Sequence, residues 1–441
     1  MQVSLKIDDN KIYTFPEQID TVTYKDKILV IAPQQANWIV LNNPVEVTLF
    51  NAIQKQSLKE VMAQYPNDLN SLRNVLIQVE ARKFYDRTKK IYIGKEKLHI
   101  YLTNECNMRC PHCYMFAGEK MAEELTFEEI CSIIKQFAET GGREITFSGG
   151  EIAMRRDLFD IVQYSHNLGV KNKLLTNGTL WTSKTIDSFA PLVSKVQVSI
   201  DGFDEKENSK IRGRNSFSIA LNTVDMFIKA GVPVDIAITP PLDDTLESKI
   251  DQYAEFGKSI ISKYPGKQIG VIYNGEILDG RNVKFSEDQK KRYSILIEKI
   301  YQKCFGYGNK EAFFTSFKDG FLHNNCSYGS MTISATGDVY LCSQIPFLEP
   351  IGNIRKDSWN VIQQRLRQGE NKSAIENLKP CNTCTLKYIC GGGCRIKYFK
   401  EFKRSKILTM PIDEIAPRTC SESIKEYYYD LMIASNPLFF R

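Results

Sequence analysis

Three closely spaced cysteines in the first half of the chain are the residues best suited to chemistry. Cys106, Cys110 and Cys113 have the spacing CxxxCxxC, and no fourth Cys or His follows at comparable spacing. A structural zinc site uses four protein ligands, so three thiolates indicate a site with one position left open. A [4Fe–4S] cluster held by three cysteines leaves one iron free in this way. We expect His112, between two of the cysteines, to point away; a chance triplet or degenerate zinc knuckle is the alternative.

A second group of seven cysteines lies in the last third of the chain. These are Cys326, Cys342, Cys381, Cys384, Cys390, Cys394 and Cys420. Clustered thiols at short spacings favour metal ligation over disulfides in a reducing compartment. A CxxC pair followed by CxxxC is compatible with a zinc ribbon as well as with iron–sulfur clusters. Of the other two cysteines, Cys131 is expected on the buried face of a helix, and Cys304 is unassigned.

The composition is that of a soluble globular protein, with 42% hydrophobic and 25% charged residues in 441. It excludes disordered, collagen-like and small disulfide-rich secreted proteins. At roughly 150 residues per domain, this length predicts about three domains. The net charge of +6 is too small to indicate a nucleic-acid partner. Apolar runs fall short of the ~20 residues of a membrane span, and the N-terminus lacks a signal-peptide core. We therefore expect a cytoplasmic protein.

Six strand–helix units are predicted to position the first three cysteines. Short β-rich runs that each precede a helical pattern occupy residues 98–103, 144–149, 171–177, 195–201, 234–240 and 268–274. Units of this length imply parallel strands covered by helices. The fold class is therefore α/β, with a partial, TIM-like (β/α)6 barrel. The cysteine triplet follows the first strand, and α/β barrels place their chemistry at the C-terminal ends of strands.

The triplet and several strand ends together resemble the radical SAM enzymes. In that family CxxxCxxC is followed by an aromatic residue, here Tyr114. Further segments that resemble the family, in the expected order, are Ser148, Gly149, Gly150 and Glu151, then Asn177 in TNG, Ser199 in VSIDG, and Arg212 in KIRGRNSF. The resemblance identifies all of these as candidate cofactor contacts.

The radical SAM resemblance implies a specific cofactor arrangement. The three cysteines of the triplet would hold a [4Fe–4S] cluster whose open iron binds S-adenosylmethionine, from which a 5′-deoxyadenosyl radical is released. Residues 148–151 would hold the methionine amino group. Ser199 would contact the ribose, and Arg212 would bind the methionine carboxylate.

The spacing of the seven C-terminal cysteines resembles the SPASM extension of radical SAM enzymes. That resemblance implies two auxiliary [4Fe–4S] clusters, and three clusters in all. The implied ligands are Cys326, Cys342 and Cys394 for the first, and Cys381, Cys384, Cys390 and Cys420 for the second. Residues 327–341 contain no additional cysteine, so we expect an open iron on the first. Its fourth ligand would be Cys304, His323 or a substrate thiolate. The segment MTISATGDVYLC is predicted to form a hairpin, and IGNI a turn.

The first 90 residues contain no cysteine and have a different pattern. The segments KIYTF, DTVTYK, KILVIAP and NWIVLN are predicted strands, and three helices follow, one of them with Ser57 as N-cap. A winged-helix DNA-binding unit is disfavoured, because residues 1–90 contain 12 Lys and Arg and 10 Asp and Glu. This nearly balanced charge gives no basic surface for phosphates. Residues 27–85 instead resemble the PqqD-like element that recognises the precursors of ribosomally made, modified peptides. It implies that a leader peptide adds to an exposed strand edge, beside a helix groove.

The order of these parts resembles that of peptide maturases. We predict a leader-recognition domain at 1–92, the barrel at 93–305 and a SPASM domain at 306–441. The predicted reaction is thioether cross-linking of a Cys sulfur to carbon in a precursor peptide, and a flavodoxin- or ferredoxin-type protein would supply electrons. The alternatives are carbon–carbon or carbon–oxygen cross-linking, epimerisation, sulfatase-maturase-like oxidation, and a non-catalytic iron–sulfur or zinc regulator. Sulfatase maturases carry a base Asp at the position that Ser343 occupies in this chain.

Overall fold

A three-stranded antiparallel sheet followed by three helices forms the N-terminal module, residues 7–86. The computed structural model describes residues 7–86, 88, 90–91, 97–306, 308–318, 321–416 and 420–440. The elements of the module are β1 (Asp20–Tyr24), β2 (Lys27–Ala32), β3 (Asn37–Leu41), α1 (Pro44–Ala52), α2 (Leu58–Gln64) and α3 (Leu69–Ala81). Ser57 caps α2 as predicted, in a capping box with Glu60. The predicted strand KIYTF is wrong, because residues 11–15 form no strand with any described part of the chain.

Both faces of β2 and β3 are buried, which explains the near-continuous apolar runs of these two strands. Alternate residues of a strand point to opposite faces. Val30 and Ile39 pack against the helices of the module. Leu29 and Trp38 point the other way and join the main hydrophobic core of the protein. The module is therefore packed onto the rest of the chain.

The barrel contains six parallel strands in sequential order, as predicted. After the short β4 (Lys90–Ile91), these strands are β5 (Lys97–Tyr101), β6 (Glu144–Ser148), β7 (Lys171–Thr176), β8 (Lys195–Ser199), β9 (Val234–Ile238) and β10 (Ile269–Tyr273). The helices are α4 (Phe127–Glu139), α5 (Leu158–Asn167), α6 (Ser183–Phe189), α7 (Glu205–Arg212), α8 (Ser216–Lys229), α9 (Ile250–Lys263) and α10 (Glu287–Phe305). All were predicted except β4 and α7, and the predicted boundary at residues 92–93 lies outside the described residues.

The C-terminal domain, residues 308–440, continues the barrel sheet. Its elements are α11 (Gly308–Phe317), β11 (Phe321–Leu322), β12 (Met331–Ile333), β13 (Asp338–Tyr340), β14 (Gly352–Asn353), α12 (Trp359–Ser373), α13 (Lys387–Cys390), α14 (Arg395–Tyr398) and α15 (Glu422–Ser435). The predicted hairpin is confirmed as β12–β13, whereas the predicted turn IGNI contains β14. Strand β12 pairs in parallel with β5, giving a nine-stranded sheet with the order β10-β9-β8-β7-β6-β5-β12-β13-β14. This pairing brings the C-terminal cysteines beside the barrel.

Among the described residues, none of the helices combines the length and the apolar composition of a membrane span.

Candidate active site

A cavity of about 560 Å³ opens at the C-terminal ends of the barrel strands. Ten of the eleven candidate cofactor and cluster residues predicted for the barrel line it: Cys106, Cys110, Cys113, Tyr114, Ser148, Gly149, Gly150, Asn177, Ser199 and Arg212. Parallel strands end at the same edge of a sheet, so residues far apart in sequence meet there. The volume is in the range of small-molecule sites.

The loop after β5 presents the three thiols of the first cysteine group to this cavity. Backbone hydrogen bonds shape the loop, from Cys106 N–H to Gly118 O (2.8 Å) and from Cys113 N–H to Cys110 O (3.2 Å). Burial raises the pKa of Cys110 to about 11 and also raises that of Cys106. Without a metal these two thiols are protonated at neutral pH. Thiolate ligation would displace their protons.

Two glycines let the end of β6 lie directly against the cysteine loop. A Cβ on Gly149 would lie 2.3 Å from Thr103 O, and one on Gly150 would lie 2.1 Å from Glu105 O. Hydrogen bonds of 2.8 Å join Gly150 N–H to Thr103 O and Glu151 N–H to Glu105 O. The glycines therefore fix the position of the segment that leads into Cys106.

Glu151 is the predicted site residue that does not line the cavity. Its side chain is fully buried, and burial raises its pKa. Its carboxylate accepts hydrogen bonds from Thr176 Oγ1 (2.6 Å) and from Asn177 N–H (2.7 Å). Glu151 therefore joins the ends of β6 and β7. It positions Asn177, whose amide also donates to Asn107 Oδ1 (2.8 Å).

Asp201 is a site residue that the sequence analysis missed. Its Oδ2 lies 2.7 Å from Arg212 Nε and 3.4 Å from His112 Nε2, and it is fully buried. Its Oδ1 accepts the N–H of Thr239 (2.9 Å). The imidazole of His112 thus faces Asp201, and its orientation relative to a bound metal stays a prediction. The sequence signal that could have identified Asp201 is an acidic residue two positions after the end of β8.

Part of the cavity wall comes from the C-terminal domain. Ser343 and Gln344, which directly follow Cys342, line the cavity together with Glu276. Glu276 forms an ion pair of 3.2 Å with Lys397, close to Cys394 in sequence. The cavity is therefore lined by the first cysteine group and by the two residues that follow Cys342, and Glu276 in its lining contacts the segment after Cys394.

The C-terminal thiols form two groups in space. Cys326, Cys342 and Cys394 interact electrostatically with one another. Cys384 interacts in the same way with Cys390 and Cys420. Cys381 is buried, and its carbonyl accepts the N–H of Cys384 (3.1 Å). These groups match the two ligand sets implied by the SPASM resemblance, and ligation itself stays a prediction.

The side chains of two suggested fourth ligands of the first set contact other groups. Cys304 is buried on α10, where its thiol interacts with the Tyr273 hydroxyl of the barrel. The ring of His323 packs edge-on against Phe317, and its Nε2 is 3.5 Å from Ser316 O. Cys131 is buried on α4, as expected.

The donor set fits iron–sulfur clusters. In the described part of the chain, no three His, Cys, Asp or Glu side chains surround a single metal position. A four-iron cluster instead binds each thiolate on a separate iron, so its ligands need not converge on one point. Beside the triplet, His112 Nδ1 is buried and has no hydrogen-bond partner among the residues that the structure describes. The guanidinium of Arg212, which lines the cavity, supplies a cation for a carboxylate.

The two edges of the N-terminal sheet differ in their hydrogen bonding. At the β3 edge, Gln78 of α3 accepts the N–H of Val40 (2.7 Å) and donates to its carbonyl. Arg82 Nε donates to Trp38 O (3.1 Å). At the β1 edge, Tyr24 pairs with Lys27 across a two-residue turn. In this register the N–H and C=O groups of residues 21 and 23 point away from β2. Thr21 and Thr23 are exposed.

Comparisons with known proteins identify the domains. The Radical SAM superfamily model matches residues 100–257, and the SPASM model, an iron–sulfur cluster-binding domain, matches residues 326–385. The sporulation killing factor maturation protein SkfB of Bacillus subtilis is 27% identical, over 64% of this chain and 67% of its own. The AdoMet-dependent heme synthase of Methanosarcina barkeri is 27% identical (68% and 90%). The mycofactocin maturase MftC of Mycolicibacterium smegmatis is 26% identical (68% and 77%).

Two solved structures show the same fold. S-adenosylmethionine-bound SuiB of Streptococcus suis has a TM-score of 0.50 and 17% identity, and the match covers 87% of this chain and 96% of SuiB. AdoMet-bound anSMEcpe has a TM-score of 0.57 and 16% identity, covering 78% and 94%. The predicted α/β fold is confirmed.

Proposed function

This chain is a radical SAM enzyme with a SPASM domain, and we propose that it modifies a ribosomally made precursor peptide. Among its relatives, SkfB and MftC are named as a maturation protein and a maturase. The N-terminal module adds a part whose sequence resembles a leader-recognition element. Holding the leader raises the effective concentration of the segment to be modified.

One observation carries the finer proposal of thioether formation: a single cavity is lined both by the first cysteine group and by the residues adjacent to Cys342. One wall is the loop of Cys106, Cys110 and Cys113, and the other includes Ser343 and Gln344 beside Cys342. When bound, the first cluster and S-adenosylmethionine supply a 5′-deoxyadenosyl radical. A peptide in this cavity would meet the radical and the first auxiliary ligand set together.

The ligand count of that auxiliary set supports a substrate thiolate as its fourth ligand. Cys326, Cys342 and Cys394 provide three thiolates, and Cys304 and His323 contact other groups. A cysteine of the peptide would complete the site, and ligation lowers the pKa of a thiol. Forming one carbon–sulfur bond removes one hydrogen atom from carbon, which the 5′-deoxyadenosyl radical would take up, and one proton from the thiol, which would go to solvent. The remaining electron would pass to the auxiliary cluster held by Cys326, Cys342 and Cys394.

The side chains of the barrel have separate tasks in this scheme. Arg212, oriented by Asp201, would bind the methionine carboxylate, and Ser199 would contact the ribose. Gly149 and Gly150 hold the cysteine loop against β6. A ferredoxin- or flavodoxin-type donor would deliver the electrons that start each cycle.

Leader binding would use the β1 edge of the N-terminal module. The β3 edge is capped by Gln78 and Arg82, so an added strand would first have to displace both. The outward backbone groups of Thr21 and Thr23 need no such displacement. Main-chain hydrogen bonds of this type provide affinity in β-strand addition.

The decisive experiment is anaerobic incubation of the reconstituted enzyme with peptides from short reading frames beside its gene, followed by mass spectrometry. Thioether formation gives a loss of two hydrogens per event and a cysteine that no longer reacts with alkylating reagents. The same loss with free thiols indicates a carbon–carbon or carbon–oxygen cross-link, and unchanged mass with deuterium uptake from solvent indicates epimerisation. The Cys106→Ala, Cys110→Ala, Cys113→Ala variant should give no product and retain leader binding. Absence of S-adenosylmethionine cleavage by the wild type would contradict the proposal.

A further inference from the structure

Arg395 is a fully buried cation in the C-terminal domain. Its guanidinium donates four hydrogen bonds, all to backbone carbonyls. The acceptors are Ser373 O (2.8 Å), Gly391 O (2.9 Å), Gly393 O (2.6 Å) and Asn324 O (3.3 Å). In the part of the chain that the structure describes, it forms no ion pair with an Asp or Glu. Carbonyl dipoles solvate this charge but do not neutralise it.

The segments that surround the guanidinium carry cysteines of both auxiliary groups. Gly391 follows Cys390, and Gly393 precedes Cys394. The three glycines at 391–393 all have positive φ, between 62° and 76°, which curls the loop around the guanidinium. The backbone N–H of Arg395 also donates to the Sγ of Cys326 (3.4 Å).

Burying a cation without a counter-ion is costly, so a negative partner is expected nearby. The guanidinium interacts electrostatically with Cys326, Cys381, Cys390 and Cys394. Cys326 and Cys394 belong to the first ligand set, and Cys381 and Cys390 belong to the second. As cluster ligands, these cysteines would supply negative charge to the guanidinium.

We propose that Arg395 is the shared counter-ion of the two auxiliary clusters and that its charge raises their reduction potentials. A cluster becomes more negative when it gains an electron. A fixed positive charge in a medium of low dielectric constant therefore favours the reduced form. The guanidinium suits this position because its five N–H donors can bind several carbonyls while the charge stays in place. This inference rests on the cluster assignment proposed above.

The test compares Arg395→Gln and Arg395→Lys in the full chain after anaerobic reconstitution, by iron content and by potentiometric titration followed by EPR. The neutral glutamine should shift both auxiliary potentials to more negative values, or prevent loading of those clusters. Lysine keeps the charge but cannot reproduce the four hydrogen bonds, and it should load the clusters at nearly wild-type potentials. The cluster of the first cysteine group is an internal reference whose potential should not move.

Arg365→Gln is the matched control, because Arg365 in the same domain also donates to a carbonyl, Ile351 O (2.8 Å), but pairs with Asp357 (3.0 Å). It should leave the auxiliary potentials unchanged. The proposal is overturned if Arg395→Gln loads both clusters at wild-type potentials. It is also overturned if the glutamine and lysine variants lose the auxiliary clusters to the same extent. Both results indicate that Arg395 has a purely structural role. Wild-type protein without auxiliary cluster signals would instead refute the cluster assignment.

Discussion

The hydroxyl of Tyr101, at the end of β5, donates a hydrogen bond of 2.7 Å to the carbonyl of Ser343. The same hydroxyl is 3.4 Å from that of Tyr114, the residue after Cys113. Ser343 follows Cys342, so one side chain connects the loops of two cysteine groups. Burial raises the pKa of Tyr101 well above its ordinary value, and the group stays a donor.

We expect Tyr101→Phe to uncouple radical formation from peptide modification. The cavity wall at Ser343 loses its anchor, worth about 1 kcal/mol for one buried hydrogen bond. Cleavage of S-adenosylmethionine should continue, and the ratio of 5′-deoxyadenosine to modified peptide should rise several-fold, as measured by liquid chromatography. Tyr340→Phe, in β13 of the C-terminal domain, is the control and should leave this ratio unchanged. An unchanged ratio in Tyr101→Phe would show that the bond does not position the wall.

Replacing Arg212 with lysine should weaken the binding of S-adenosylmethionine about tenfold or more. Arg212 uses Nε for Asp201 and keeps its other nitrogens for a carboxylate, whereas one ammonium cannot serve both with this geometry. Equilibrium dialysis of the reconstituted protein measures the affinity. Arg214→Lys, an exposed residue two positions later, should bind as wild type. Equal affinities of Arg212→Lys and wild type would refute the assigned role of Arg212.

Stability should fall on acidification through the protonation of His99 in β5. Its Nε2 is buried without a hydrogen-bond partner among the described residues. Burial, with a smaller contribution from Lys173, lowers its pKa to about 4 from 6.5. Between these values the unfolded chain binds a proton that the native protein does not bind, so stability decreases as pH falls through this window, by up to about 3 kcal/mol.

The His99→Gln variant should lose less stability than wild type between pH 7 and pH 4, as measured by urea unfolding at each pH. His166→Gln, at an exposed position in the last turn of α5, is the matched control. It should keep the wild-type pH dependence. If His99→Gln and wild type lose equal stability, His99 is not responsible for the acid sensitivity.

The barrel was predictable because its strands are short apolar runs that alternate with amphipathic helices. Helix α7 escaped prediction because EKENSKIR contains one apolar residue, Ile211, and so has no hydrophobic periodicity. Its end signals were present, since Asp204 caps the helix and Gly213 follows it with φ of 82°. Contacts such as Gln78 with Val40 depend on how an edge meets a helix distant in sequence. Such contacts cannot be predicted from residue types and their spacing.

The exposed β1 edge leads to a prediction about peptide binding. Thr23→Pro removes an outward N–H without removing a bond between β1 and β2, and proline is tolerated at such edge positions. The loss of a main-chain hydrogen bond and the bulk of the ring should weaken leader binding about tenfold. Fluorescence anisotropy with a labelled leader peptide from the precursor identified by mass spectrometry measures this.

Two further variants separate the edges of the sheet. Thr23→Val keeps the backbone N–H and should bind the leader as wild type. Gln78→Ala uncaps Val40 at the opposite edge, and leader binding through β1 predicts unchanged affinity. If Gln78→Ala changes the affinity while Thr23→Pro does not, the peptide binds at β3. If Thr23→Pro acts only by reducing self-association, measured by analytical ultracentrifugation, the β1 edge is a contact between two copies of the chain.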